Sequence, residues 1–175
     1  MLRKLISILS VLVVISFVAT SVFAGNVIVR GLSFSLGSLI ADGTLVGLGN
    51  QDVAVILDAT GIPVVTCTNP GGAQAPGQNP PKVSATGTQF LVHNTYTKNG
   101  ASPFNVETQQ QTGGLTAKRL GCPNNKWTAE IVFVFWTNAT LIVRAGSVTG
   151  SILLQQNFVC TTTRTPPSVT CTPTP

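Results

Sequence analysis

The sequence predicts an all-β fold, an antiparallel two-sheet β-sandwich of Ig-like architecture with eight or nine strands and two disulfides. Three observations carry this expectation. Thr, Val, Ile and Phe fill short runs, Gly, Asn and Pro punctuate them, and no long amphipathic helical period appears after the N-terminal apolar run. The turn signals recur at the spacing of sandwich strands. Without its first 24 residues the chain keeps about 150, enough to bury close to 70% of its unfolded surface in one core.

The strands follow in order. Segments 27–36, 38–48, 52–59 and 62–67 are separated by Gly37, Gly49-Asn50 and Gly61. In 52–58, alternation sends Val53, Val55 and Leu57 to one face and Ile56 and Asp58 to the other. Residues 68–81 (TNPGGAQAPGQNPP) hold Pro, Gly, Asn and Gln with nothing to bury, and read as a surface loop. Strands resume at 82–92 and 104–108, with a turn at 97–100 and a further loop at 109–114. In 126–137, strict alternation puts Trp127, Ala129, Ile131, Phe133 and Phe135 on one face and Val132, Val134 and Trp136 on the other. Both faces are apolar, so this strand is either central and covered on both sides, which is favoured, or carries an exposed apolar strip used for contact. Segments 139–144 and 151–160 close the sandwich.

The N-terminus supplies an address. Arg3 and Lys4 precede an uncharged apolar run that closes on Val22-Phe23-Ala24, which fits a secretory leader, 1–24, cleaved before Gly25. An uncleaved anchor is the competing reading, since about 20 apolar residues can span a bilayer; a membrane is implied only in that case. Either way the remainder is secreted or extracellular, free or retained at the cell surface. The domain then runs over 25–160. The segment 161–175, with seven Thr and four Pro, reads as an extended tail, either a stalk or linker or a frayed end pinned at Cys171.

Cys67, Cys122, Cys160 and Cys171 all lie in the exported part, where an even count reads as two disulfides. Of three connectivities, Cys67–Cys122 and Cys160–Cys171 is favoured. The first pair abuts Gly/Asn/Pro loops and the second frames the tail.

Charged residues are only 9% of the chain, against roughly 25% in typical soluble proteins. The formal charge of +5 falls to +3 once Arg3 and Lys4 are removed, and Lys118-Arg119 is the one basic doublet left. No nucleic-acid footprint exists. Catalytic chemistry finds little to use. The lone histidine, His93, lacks a Gly-x-Ser-x-Gly elbow, and a triad with Ser84 or Ser102 is only formal. Glu107 and Glu130 are the carboxylates to test for glycoside hydrolysis. Asp42, Asn50 and Asp52 are oxygen donors for calcium without EF-hand spacing. No enzyme, cofactor or metal is therefore expected. Trp136, Trp127 and Tyr96 are the candidate ligand-binding residues, because aromatic rings on a flat β face stack on sugars.

Several motifs together resemble a family of small secreted bacterial β-sandwich proteins of unknown function. They are Gly47-Leu-Gly-Asn50, Cys67-Thr-Asn-Pro-Gly-Gly72, Pro76-Gly-Gln-Asn-Pro-Pro81, Cys122-Pro123 and Trp127-Thr-Ala-Glu130, and the likeness runs over 36–158. The resemblance implies secretion, a β fold and a Cys67–Cys122 pair, with Cys160 and Cys171 outside the shared pattern. It implies no activity. The expected role is a non-catalytic cell-envelope or extracellular structural or adhesion protein; the alternative is a module binding polysaccharide or another cell-surface component. Self-association through strand edges is left open.

Overall fold

The computed structural model describes residues 26–36, 38–97, 100–110 and 115–174. The expected leader over 1–24, Gly25, Gly37, Pro175, and parts of an expected turn (98–99) and an expected loop (111–114) lie outside them. The strands are β1 (Ile28–Ser35), β2 (Ile40–Val46), β3 (Val53–Thr68), β4 (Gln74–Pro76), β5 (Val83–Leu91), β6 (Ser102–Glu107), β7 (Gln109–Gln110), β8 (Thr128–Ala145), β9 (Ile152–Arg164) and β10 (Pro167–Pro173). All pairings are antiparallel, in a small sheet ordered β1-β2-β6 and a large one ordered β10-β9-β8-β3-β5-β7, with β4 also on β3. The protein is thus an all-β two-sheet sandwich, as its residues predict. Eight strands have six or more residues; β4 and β7 are short additions within segments expected to be loop.

Alternation builds the core. Ala41, Leu45, Phe104 and Val106 of the small sheet meet Val53, Val55, Leu57 and Ala59 of β3, with Leu141 and Val143 of β8 beside them. Each fully buried Leu, Val or Phe contributes roughly 1.5–3 kcal/mol. Phe34 and Phe158 close one side of the sandwich, their rings edge to face at 5.1 Å. On the other side the chain crosses from β6 to β7. Gly87 permits this crossing, because a Cβ there would stand 2.1 Å from the Glu107 carbonyl oxygen.

Three elements differ from the sequence reading. Residues 52–59 and 62–67 form one strand, β3, in which Gly61 is no turn. A Cβ on Gly61 would meet Val134 Cγ1 at 2.5 Å and Phe135 O at 2.7 Å, so glycine lets β8 pass close by. Pro63 is tolerated because β5 stops pairing with β3 at Gly61 and β4 starts at Thr66, leaving no ladder partner on that side. Residues 126–137 and 139–144 likewise form one strand, β8, whose register against β3 slips twice. Thr137 and Val132 are the extra residues, and each bulge switches which face the following side chains take. The alternation expected for β8 is therefore wrong in part. Ile131 shares the inner face with Val134 and Trp136, while Phe133 and Phe135 point outward and are only half-buried.

The third difference is the expected tail. Residues 161–164 extend β9, and β10 folds back on it through paired residues from Pro167↔Arg164 to Pro173↔Phe158. Thr suits a half-exposed strand, and the prolines sit in the turn and at the ends of an edge strand, where no ladder bond is lost. Val169 and Cys171 pack on the main core, which gives this hairpin an apolar anchor that composition alone does not reveal.

Both disulfides join the expected partners. Cys67–Cys122 ties the end of β3 to the loop before β8 across 55 residues; Cys160–Cys171 links directly paired residues of β9 and β10 across 11. The first anchors a second cluster in which Val65, Cys67, Leu120 and Cys122 are packed by Trp127 and Ile131. That cluster covers the part of the large sheet that the small sheet does not reach. Closing these loops in the unfolded chain contributes roughly 4 kcal/mol for the longer and about 3 for the shorter. Denaturant unfolding of a Cys67→Ala/Cys122→Ala variant is expected to show the larger loss, with the Cys160→Ala/Cys171→Ala variant retaining a cooperative transition.

Candidate functional site

The site follows from a mismatch of strand lengths. β8 pairs with β3 along its whole course, from Thr128↔Thr68 to Ala145↔Val53. On its other side it pairs with β9 only from Asn138 to Arg144. Among the described residues, no strand covers that side of β8 from Thr128 to Trp136. The Thr162 hydroxyl donates to the Trp136 carbonyl at 3.0 Å and marks where the open edge begins. Beyond it β9 turns away to pair with β10.

Two depressions flank this edge. The inner one, about 460 Å³, lies where the small sheet ends and is lined by Leu36, Thr108, Ile131, Val134, Trp136 and Pro167 among others. The outer one, about 330 Å³, includes Val64, Thr66, Pro76 and Arg164. Both include Val132, the bulged residue, and both are bounded by the β9–β10 hairpin, through Pro167 on one side and Arg164 on the other. Val132 is 47% exposed and Ile62, whose strand partner is Phe135, 45%. The edge therefore carries apolar side chains as well as uncovered backbone.

Two buried polar atoms belong to residues of the inner depression. Among the described residues, Trp136 Nε1 and Thr108 Oγ1 have no hydrogen-bond partner. Leaving such a group unpaired costs about 1–3 kcal/mol. Among the described residues no charged side chain lines this depression, so it suits an uncharged occupant.

The three residues singled out from the sequence for ligand binding are not brought together. Trp136 is 2% exposed and offers no ring face to a sugar, because the bulge at Thr137 turns it inward. Trp127 packs on the disulfide cluster. Tyr96 is half-buried and donates its hydroxyl to the carbonyls of Gln51 (3.0 Å) and Leu91 (3.1 Å), fixing the corner after β5. Burial pushes its phenol up from the usual value, with the Asp52 charge adding to the effect. The open edge itself was missed. Its signal is the double-sided apolar run of 126–137, for which covered faces are the favoured expectation and an exposed contact strip the other.

The groups weighed for chemistry are dispersed. His93 Nδ1 bonds Asp52 Oδ1 at 2.7 Å, but Ser102 turns its hydroxyl to the Pro103 carbonyl. Glu107 ends β6 in the small sheet, whereas Glu130 lies on the outer face of the large one. Asp42 accepts from Asn105 Nδ2. No cluster of three His, Cys, Asp or Glu residues able to hold a metal occurs among the described residues. The class these features define is a disulfide-braced β-sandwich with an open sheet edge. No protein-family model, curated protein or solved structure matches the chain.

Two measurements check this account. Thr108→Val, which deletes its unpaired hydroxyl while keeping shape, is expected to leave unfolding free energy unchanged or raised, and Trp136→Phe to cost about 1 kcal/mol for the small cavity its smaller ring leaves, whereas Trp136→Ala costs about 3–5 kcal/mol. A loss above about 2 kcal/mol for both conservative variants would show that these groups are paired. The second concerns Asp52. The His93 backbone N–H and then the His93 ring hold its carboxyl below the ordinary aspartate value. A depressed carboxylate stabilises the fold above its unfolded pKa, and the effect disappears as pH falls through the folded one. Unfolding midpoints followed from roughly pH 5 to pH 2 should thus fall less steeply in Asp52→Asn than in the wild type.

Proposed function

We propose that the chain is an exported, non-catalytic structural or adhesion protein of the cell envelope or extracellular space, acting through the edge of its large sheet. The observation that carries this reading is the uncovered stretch of β8. Soluble monomers blunt such edges, because unpaired N–H and C=O groups beside apolar side chains template pairing with another chain. Two disulfides support an oxidising compartment. Among the described residues no helix is long and apolar enough to cross a membrane. The leader over 1–24 and the resemblance to secreted bacterial proteins support export.

The polysaccharide reading loses its main support with Trp136 buried. Phe90 alone among the described aromatic rings is mostly exposed, and one ring makes no stacking platform.

Fractionation of the native producer tests the proposal. Retention in a large assembly that resists high salt is expected, and Val132→Lys, a charge at the centre of the open edge, should release the protein. Free wild-type monomer in the medium would contradict it.

A further inference from the structure

The open edge of β8 has a symmetry of its own. With Val132 as the extra residue, Ile131 and Val134 both face inward, and Val132 and Phe133 lie between them on the outer side. Suppose a second β8 runs antiparallel to the first about a two-fold axis between Val132 and Phe133. Ile131 then stands opposite the partner's Val134, inner face to inner face. Val132 stands opposite the partner's Phe133, and Glu130 opposite the partner's Phe135, outer face to outer face. A strand without the bulge fails this test, since residues three apart would take opposite faces.

We propose that two copies of the chain join edge to edge through residues 130–135 of β8 in this register, making one continuous sheet across the dimer. This specifies the partner for the assembly proposed above and rests on that reading. Ile131 and Val134 direct their backbone groups away from β3, so the two Ile131–Val134 pairs across the axis exchange roughly four backbone hydrogen bonds. The pairing ends at Phe135, because the next carbonyl, that of Trp136, is already taken by Thr162.

The surroundings fit an added strand. The inner depression lies where the incoming Ile131 and Val134 must go, and among the described residues it presents no charge to them. The outer one lies on the side of the incoming Phe133 and Phe135. Glu130 is the only charged residue in the stretch, and the two-fold places the two Glu130 side chains at opposite ends, so like charges never face each other. A two-fold contact also closes on itself, so this edge joins copies two at a time and the dimer is the unit held in the larger assembly.

Cysteine cross-linking on the protein recovered after expression of the whole chain reads the register. The two Val132 positions lie beside the axis, within the roughly 4.4–6.8 Å between Cα atoms that a disulfide requires. The two Thr128 positions lie about 30 Å apart at the rise of a strand. Val132→Cys should yield a covalent dimer under mild oxidation, assigned by a non-reducing peptide map, and Thr128→Cys should not. Sedimentation should show a wild-type dimer that Val132→Lys converts to monomer, with the two unfolding midpoints equal at a dilution where the wild type is also monomeric. Wild-type monomer at high concentration would overturn the proposal and show that the bulge and the hairpin guard the edge. Equal cross-linking at both positions would overturn the register. Envelope retention of a protein that sediments as a monomer would end this inference alone, whereas a correctly cross-linked dimer found free in the medium would end only the proposed function.

Discussion

The pairing of β3 with β8 is the constraint on which the rest of this structure depends. Sixteen residue pairs join the two strands, far beyond the span of the small sheet, whose strands have six to eight residues. One half of this long ladder is therefore sandwiched and the other half is not. The uncovered half must be closed by other means. On its inner face the chain uses the loop held by Cys67–Cys122, which packs Leu120 and Trp127 against Val65 and Ile131. On the side of β8 away from β3, nothing among the described residues performs this service.

The bulges are what make a ladder of that length compatible with one core. A twisted pair of strands drifts away from a flat register, and an extra residue on one strand restores the match while re-aiming its side chains. Thr137 and Val132 do this on β8. The first brings Trp136 inward, and the second keeps Ile131 inward beside Val134. Gly61 and the absence of a β5 partner beside Pro63 are the corresponding accommodations on β3.

Much of this was legible in the residues. Val53, Val55 and Leu57 point inward as their alternation predicts, and both disulfides join the partners that the loop positions indicate. The same alternation failed in β8 because period two cannot register an inserted residue, and neither Thr137 nor Val132 announces a bulge as a glycine would. Composition misled at the C-terminus for a related reason. Thr and Pro describe a solvated chain, but Val169 and Cys171 recur at the spacing of an inward face, and two such contacts suffice to dock a hairpin already joined by a disulfide. The site was half legible: Trp136 was singled out for its ring, whereas its place beside an uncovered edge depends on where β9 stops following β8. Strand length against strand length is a tertiary property, and no local pattern encodes it.

Backbone amide exchange in β8, resolved residue by residue at a concentration low enough to hold the protein as separate copies, tests the central claim most directly. Between Asn138 and Arg144 the strand has partners on both sides, and every amide in its ladders should exchange slowly. Between Thr128 and Phe135 only the amides directed toward β3 should be slow, with those directed away exchanging as solvent-exposed groups do. Uniform protection along the whole strand at that dilution would contradict the account, because it would mean that the edge is already covered within one copy.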